Sequence, residues 1–271
     1  MAVRSGPWLG LRNVVNFSGG AGSWAAAKRV AEQHGTDHMA LVFCDTKMED
    51  QDLYRFLHEA AANIGAPLII LADGRNVWEL FADDHIIGNG KVDVCSRVLK
   101  RDLLDKWRNA NCSPEHTTIN IGIDWTESHR LERAQKASGV WKYAAPLCDA
   151  PYLTKADVLA WLKREGIEPP RLYAMGFPHN NCGGFCVKAG QAQFRLLLEK
   201  MPERYAWHEA QEEKVREIQR QHGIVPSSVL YHRRGGNGRV RVTLKEFREA
   251  IERERTDCDE QEWGGCGCAL E

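Results

Sequence analysis

Cysteines are the residues of this chain whose type and spacing most directly indicate chemistry. The 271 residues contain nine, and five of them fall into two groups, in "NCGGFC" (Cys182, Cys186) and in the C-terminal "CDEQEWGGCGC" (Cys258, Cys266, Cys268). A C-x₃-C pair on a glycine-rich loop can bring two thiolates to one metal ion or cluster. A chain of this length needs no disulfide staples, so the clustering favours metal or thiol chemistry over crosslinks.

A second chemical feature is the glycine-rich turn in "NVVNFSGGAGSW", residues 13–24. An apolar stretch leads into Ser18-Gly19-Gly20, and Ser23 opens a helical pattern. This arrangement directs backbone N–H groups and the positive end of a helix dipole at an anion. The alternative is an ordinary strand-to-helix turn. Neither a Walker pattern nor a G-x-G-x-x-G dinucleotide pattern is present.

The elements that must position these residues follow an alternating pattern. Predicted strands cover 13–17, 39–45, 67–73, 117–124 and 141–147, and predicted helices cover 23–34, 50–64, 76–83, 96–110 and 127–137. Apolar strands that alternate with amphipathic helices predict an α/β fold in which helices sandwich a parallel, twisted sheet. The crossover connections of such a sheet are right-handed.

Beyond residue 150 the pattern becomes mostly helical. Helices are predicted over 154–166, over 190–222 with a break at Met201-Pro202, and over 243–255; a hairpin with the turn "GGNG" precedes the last one. We therefore predict a sheet domain at 1–150, a helical and hairpin region at 151–257 that carries the "CGGFC" loop, and a flexible cysteine-rich tail at 258–271.

Charge and hydropathy limit the classes of partner. Lys and Arg number 36 and Asp and Glu 37, giving a formal net charge of −1. A near-neutral chain is not attracted to nucleic acid as a whole, so any such contact needs a local basic patch. No run of 18 apolar residues and no signal-peptide core is present, so we expect a cytoplasmic protein without membrane contact.

Five segments resemble, in order, the motifs of a known enzyme family. "FSGGAGSW" is similar to the PP-loop S-G-G-x-D-S of the adenine nucleotide α-hydrolase and ATP pyrophosphatase superfamily, and "LVFCDTKMED" to its second-strand V-F-x-D-T-G segment. "CSRVLKRDLLDKW", "NIGIDWTESHR" and the segment 143–186 resemble three blocks of the phosphoadenylyl-sulfate (PAPS) reductase branch. The resemblance covers roughly residues 12–190.

This resemblance implies a Rossmann-like sheet of the PP-loop type that binds ATP or adenylyl sulfate, with Mg²⁺ as an optional companion. The nucleotide-binding residues that it implies are Ser18, Gly19, Gly20, Ser23, Asp45, Thr46, Gly122, Glu127 and Arg130. It also implies that Arg97 and Lys100 bind an anion.

Two positions depart from the family pattern. Gly22 stands where the PP-loop usually carries Asp, yet the loop's backbone donors and hydroxyls remain, so phosphate binding is still expected. Asp124 stands where the PAPS reductase branch usually has Arg. An acid there would repel a sulfate or 3′-phosphate, which weakens the prediction of a PAPS reductase; the alternative is a solvated loop acid.

The resemblance also places Cys95 near the C-x₃-C loop. Cys95, Cys182 and Cys186 would suit a four-iron cluster with one open iron, or a zinc ion with a fourth ligand; the alternative is three buried thiols. In the tail, Cys266 or Cys268 is a candidate catalytic cysteine, as in sulfonucleotide reductases, or a fourth ligand or sulfur carrier, or part of an inert tail. We expect Cys44, Cys112 and Cys148 to be structural.

A basic hairpin is the remaining candidate surface. Residues 229–245 contain Arg233, Arg234, Arg239, Arg241 and Lys245 and no acidic residue. Such a hairpin could contact the phosphate backbone of tRNA or DNA, although most charged runs are merely solvated faces.

Together these features predict a sulfur-handling enzyme that binds an adenine nucleotide. The preferred hypothesis is an ATP-dependent, adenylating sulfurtransferase that uses an iron–sulfur cluster and receives sulfur from a thiol or sulfur-donor protein. One alternative is a PAPS or adenylyl-sulfate reductase that uses a tail cysteine. The other is a non-catalytic nucleotide or redox sensor with structural zinc.

Overall fold

A parallel five-stranded sheet forms the centre of the computed structural model, which describes residues 10–234 and 238–253. Its strands are β1 (Asn13–Asn16), β2 (Met39–Asp45), β3 (Leu68–Ala72), β4 (Thr118–Ile121) and β5 (Lys142–Ala144). The order is β3-β2-β1-β4-β5, and each neighbouring pair is parallel. The predicted α/β fold with helices around a parallel sheet is confirmed.

Helices connect these strands, and further helices follow β5 in the chain. They are α1 (Ala21–His34), α2 (Gln51–Ile64), α3 (Val77–Asp84), α4 (Val94–Ser96), α5 (Asp102–Asn111), α6 (Ser128–Ala137), α7 (Lys155–Arg164), α8 (Arg171–Ala174), α9 (Gln191–Lys200), α10 (Pro202–Gln221) and α11 (Leu244–Glu252). An antiparallel hairpin of β6 (Leu230–Arg234) and β7 (Gly238–Val242) precedes α11. Within the described residues, no helix is long and apolar enough to cross a lipid bilayer.

Two elements differ from their predicted form. The helix predicted over 96–110 contains a π-helical turn at Arg97–Arg101, which lies between α4 and α5. The strand predicted over 141–147 forms a ladder only over Lys142–Ala144, and Leu147 adds an isolated bridge to Asp124; Pro146 between them has no N–H to donate.

The strand order creates a crevice at the carboxyl ends of the strands. The chain leaves β1 toward β2 on one side, whereas β4 lies on the other side of β1. In open parallel sheets, ligands bind outside the carboxyl ends of the strands at such a switch point. The Ser18-Gly19-Gly20 turn follows β1 directly and therefore lies at this crevice.

Two apolar cores flank the crevice, and each combines residues from both sides of position 150. In the first core, the fully buried Trp24 of α1 packs edge-on against Trp161 of α7, with 4.9 Å between ring centroids. The second core joins Trp78 of α3 to Phe185 of the cysteine loop and to α10. The domain boundaries remain predictions, and the predicted tail lies outside the described residues.

A buried carboxylate attaches the hairpin to α10. Glu212 accepts hydrogen bonds from the backbone N–H of Val229 (3.0 Å) and of Leu244 (2.6 Å), which lie at the two ends of the hairpin. Burial raises the pKa of Glu212 to about 7, although these two N–H donors and Arg216 oppose the shift.

We predict that this pKa shift makes stability depend on pH. The folded protein binds the Glu212 proton more tightly than the unfolded chain does, so the free energy of unfolding should fall as pH rises from about 4.5 to about 7. Urea unfolding across that range should show the slope in the wild type. Glu212→Gln should lose it, whereas Glu213→Gln, at an exposed neighbour on the same helix, should retain it. An equal slope in the wild type and in Glu212→Gln would contradict the prediction.

Candidate functional site

The N-terminus of α1 opens into the crevice. Gly20, the N-cap residue, has no side chain to cap the helix, and no acidic residue lies in the first turn. The Ala21 N–H donates to Tyr173 Oη at 3.2 Å, and Ser23 Oγ donates to the Gly20 carbonyl at 2.9 Å. Ser18 Oγ in turn donates to Ser23 Oγ at 3.2 Å. This end of α1 therefore offers amides, hydroxyls and a positive dipole to an anion.

A cleft extends from this helix end along the carboxyl ends of β1, β2 and β4. One part of its wall is apolar and consists of Phe17, Val42, Phe43, Cys44, Leu104 and Ile123. The other part is polar and consists of Asn16, Ser18, Gly20, Gly22, Ser23, Lys100, Gly122, Glu127, Arg130, Tyr173, His179, Asn180 and Asn181. A ligand with a flat apolar part and a charged part would match this combination of apolar and polar wall residues.

The residues predicted to bind nucleotide divide between this wall and its surroundings. Ser18, Gly20, Ser23, Gly122, Glu127 and Arg130 line the cleft, as does the predicted anion-binding residue Lys100, whereas Gly19, Asp45, Thr46 and Arg97 do not. Their roles remain predictions.

The predicted residues outside the wall lie in different surroundings. Arg97 is exposed to solvent. Asp45 accepts from Lys47 Nζ at 2.7 Å and from Tyr54 Oη at 2.9 Å. Burial opposes ionisation of Asp45, but these hydrogen bonds outweigh it and lower its pKa. The Asp124 carboxylate, which also lies outside the wall, caps the turn at Thr126, whose N–H donates to it at 2.8 Å.

Close backbone contact between β4 and α1 explains the glycines at positions 22 and 122. A Cβ atom on Gly122 would lie 2.8 Å from Ser23 Cα and 2.9 Å from Ser23 N, so no side chain fits there without a shift of the backbone. A Cβ atom on Gly22 would lie 3.3 Å from the Gly122 carbonyl oxygen, which is also tight. Gly22 therefore stands at a crowded junction as well as in the cleft wall.

The three predicted sulfur ligands line a second, smaller pocket. Its wall consists of Thr46, Val77, Cys95, Ser96, Lys100, Cys182, Phe185, Cys186, Val187 and Lys188. Over the described ranges, no three His, Cys, Asp or Glu side chains are close enough together to hold a single metal ion. Cys95 thus lines the same pocket as the C-x₃-C loop, but the three cysteine side chains do not form a group that could hold a metal ion.

The conformation of the cysteine loop requires its two glycines. Cys182, Gly183 and Gly184 have φ values of +52°, +57° and +86°, a left-handed run that is costly for residues with a Cβ atom. A Cβ atom on Gly183 would overlap the Arg204 guanidinium, and one on Gly184 would lie 2.8 Å from the Phe177 ring.

A buried acid that the sequence did not single out holds this loop in place. Glu49 accepts from the Cys182 N–H at 2.6 Å and from Thr46 Oγ1 at 2.9 Å. Burial raises the pKa of Glu49, and the charge of Lys100 opposes that shift. Arg204, on α10, donates to the Met48 carbonyl beside it. The sequence feature that could have pointed to Glu49 is the acidic pair Glu49-Asp50 just before α2.

Cys44 and Cys112 are buried cysteines outside the smaller pocket. Cys44 lies in the apolar part of the cleft wall, where burial raises the pKa of its thiol to about 12. Burial likewise raises the pKa of Cys112 to about 11. Neither is a thiolate near neutral pH, which agrees with a structural role. Cys266 and Cys268 lie outside the described residues, so their predicted roles stay predictions.

Lys100 connects the two pockets, because it is part of the wall of both. It belongs to the π-helical turn that follows Cys95 and Ser96, and its carbonyl accepts from Cys44 Sγ at 3.6 Å. π-Helical turns inside helices often occur at functional sites. A cation at this position can act on an anion in the cleft and on thiolates in the smaller pocket.

Among solved structures, the chain is similar to a known enzyme. No family model matches the chain, and no curated protein matches it. The chain is similar to phosphoadenylyl-sulfate (PAPS) reductase from Candida auris, solved as a phosphate complex, with 16% sequence identity and a TM-score of 0.44 over 63% of this chain and 80% of that one.

The Gly122 contact generates a prediction. Gly122→Ala should destabilise the fold by about 1–3 kcal/mol, because the added methyl group forces β4 away from the start of α1. Thermal unfolding would measure this as a lowered midpoint. Gly90→Ala is the matched control, since no atom lies within 4 Å of a Cβ atom there. Equal midpoints for the two variants would show that the junction is not tight.

Proposed function

We propose that this protein is an ATP-dependent, adenylating sulfurtransferase that binds its nucleotide in the cleft and holds sulfur chemistry at the cysteine pocket. The adenine would lie against Val42, Phe43 and Leu104. The phosphates would lie at the N-terminus of α1, near Ser18 and Ser23 and beside Tyr173, which accepts from the Ala21 N–H. Backbone amides and a helix dipole at that point stabilise phosphate charge without an acidic side chain.

The reaction needs two displacements. An acceptor oxygen would attack the α-phosphorus of ATP and break its bond to pyrophosphate, whose charge the start of α1 would stabilise. A sulfur nucleophile supplied by a donor protein would then displace AMP, so that sulfur replaces the oxygen that leaves with AMP. Adenylation converts a poor leaving group into a good one, which is what ATP contributes.

The proposed ligands of an iron–sulfur group are Cys95, Cys182 and Cys186, whose side chains would have to come closer together to hold it. Lys100 would offset part of the negative charge of a thiolate-bound cluster, whereas Lys188 pairs with Asp93 at 3.5 Å. The apolar remainder of the wall includes Val77, Phe185 and Val187 and would limit access of water. A four-iron cluster bound by three cysteines supplies an open iron at which a sulfur atom can bind.

The single observation that carries the proposal is the position of Lys100. Because both walls include this lysine, a nucleotide phosphate in the cleft and a sulfur group in the smaller pocket would lie on either side of one basic residue. Two unrelated sites would not need a common cation. A reaction that passes sulfur to an adenylated atom needs the nucleotide site and the sulfur site to adjoin.

The acceptor that we propose is a nucleic acid, tRNA or DNA, held by the hairpin of β6 and β7. Register places Arg233 opposite Arg239 and Tyr231 opposite Arg241. The sequence of the hairpin is basic, and a polyanion is complementary to that charge. Lys245 follows on α11 and is exposed, as is Arg241.

Metal analysis and product analysis of anaerobically purified full-length protein test the reaction. Iron together with acid-labile sulfide, and release of AMP and pyrophosphate from ATP, are expected. Sulfite release from adenylyl sulfate or PAPS with a thiol donor would instead assign a reductase. Bound zinc without turnover would assign a sensor. Cys182→Ser should lose the iron, whereas Cys112→Ser, at a buried cysteine outside both pocket walls, should keep it.

Lys100→Met should lower AMP and pyrophosphate release by about 100-fold, the usual effect of removing a group that stabilises developing charge. Lys106→Met changes an exposed lysine on α5 and should leave the rate unchanged. Full activity in Lys100→Met would show that the shared cation has no role in the reaction.

Binding of tRNA and of single-stranded DNA oligonucleotides at several salt concentrations tests the hairpin. Arg241→Ala and Lys245→Ala should each weaken binding and reduce the slope of log K against log salt by about 1, as expected when one phosphate contact is lost. Lys106→Ala is the control. An unchanged slope in both hairpin variants would exclude this surface as the nucleic-acid contact.

A further inference from the structure

Two exposed aromatic side chains form a pair at the edge of the cleft. Trp125 is 43% exposed and Tyr152 is 62% exposed, and their ring centroids lie 5.7 Å apart at an interplanar angle of 50°. In the chain, Trp125 stands between Ile123 and Glu127, which both line the cleft. Tryptophan and tyrosine are enriched at binding interfaces, where a large ring contributes much contact area. A pair of such rings in solvent beside a cleft is therefore a candidate contact surface.

The pair lies close to the site that we propose for the phosphates. Gly122, which contacts the start of α1, precedes Trp125 by three residues, and three residues span at most about 11 Å. A ligand ring that stacks on Trp125 would therefore lie near the N-terminus of α1. The acceptor of an adenylating reaction must meet the nucleotide at that end of the cleft.

The structure holds both aromatic residues in place. Trp125 Nε1 donates to the Leu153 carbonyl at 3.3 Å, which links its ring to the residue after Tyr152. Arg29, on α1, donates to the carbonyl of Pro151, the residue before Tyr152. A surface that is ordered before a ligand arrives loses less conformational entropy when the ligand binds.

The charge around the pair opposes contact with a phosphate backbone. Burial, and then the charges of Asp124, Asp149 and Glu127, raise the pKa of the nearby Cys148 thiol, so three carboxylates lie on this side of the fold. They would repel a phosphate but not the uncharged face of a nucleobase. Glu127 pairs with Arg130 at 2.7 Å and Asp124 caps its own turn, which leaves less negative charge for a cationic partner.

We infer that Trp125 and Tyr152 form a stacking surface for an unpaired base of the nucleic-acid acceptor. The inference rests on the proposed function, because it needs that acceptor. Every nucleobase has a flat π-face that stacks on aromatic side chains, and an enzyme that modifies a base must first expose it. The hairpin would hold phosphates of the strand, and the aromatic pair would hold one base at the edge of the cleft.

Binding of a single-stranded DNA oligonucleotide to the full chain at several salt concentrations tests this surface. Trp125→Ala should weaken binding by about tenfold and leave the slope of log K against log salt unchanged, because stacking releases no counterions. Tyr152→Ala should also weaken binding, whereas Trp125→Phe keeps an aromatic ring and should retain most of the affinity. An abasic strand of the same length and charge should bind equally to the wild type and to Trp125→Ala.

Trp207→Ala is the matched control. Trp207, on α10, is 42% exposed and packs edge-on against one aromatic neighbour, His208, with 4.9 Å between ring centroids. It lines neither the cleft nor the smaller pocket. Trp207→Ala should therefore bind the oligonucleotide as tightly as the wild type does.

The outcomes separate this inference from the proposal beneath it. Equal affinities of the wild type, Trp125→Ala and Tyr152→Ala, with weaker binding by Arg241→Ala, would overturn the inference and leave the proposed acceptor intact. A wild type that binds no oligonucleotide would overturn both. A reduced salt slope in Trp125→Ala would overturn stacking in favour of a phosphate contact. Weaker binding of an arginine decapeptide by Trp125→Ala, with unchanged oligonucleotide binding, would assign the surface to a basic protein partner instead.

Discussion

The hydrogen bond from the Cys182 N–H to Glu49 is the interaction on which the rest of the site depends. It joins the connection after β2 to a loop 133 residues further along the chain. A buried carboxylate without partners would be costly, and so would a left-handed loop with an unpaired N–H. Each therefore stabilises the other, and the charge of Arg204 acts on both Glu49 and Cys182. The cysteine pocket lies at the second core, which includes Val77, Cys182, Phe185 and Val187 of its wall.

At the start of α1 the cleft presents backbone groups and no acidic side chain. The first turn of α1 has no acid, its Ala21 N–H donates to Tyr173 Oη, and Gly22 stands where the resembling family carries a carboxylate. Lys100 and Arg130 supply positive charge in the wall, and Glu127 partly offsets Arg130 through an ion pair at 2.7 Å. The resulting potential suits a phosphate. At position 22 the Gly122 carbonyl leaves little space for any side chain.

One helical segment serves both pockets because of its π-helical turn. Cys95 and Ser96 precede the turn and line the smaller pocket, whereas Leu104 follows it and lines the cleft. A π turn contains one more residue than an α-helical turn and so changes which residues face a given side. Lys100, inside the turn, lines both walls. The proposed coupling of nucleotide and sulfur chemistry thus depends on a local irregularity of the backbone.

The sequence alone determined the order of elements, the parallel α/β sheet, the anion-suited turn at Ser18 and the cysteine pair of the "CGGFC" loop, because burial periodicity and glycine patterns are local properties. Tertiary structure decided the rest. Glu49 and Arg204 became important only through contacts across more than 130 residues, and the π turn arises from packing that no short pattern encodes. Trp125 and Tyr152 were ordinary aromatic residues of two segments until the fold placed their rings together at the edge of the cleft. Such properties belong to pairs of distant segments, and a single segment cannot reveal them.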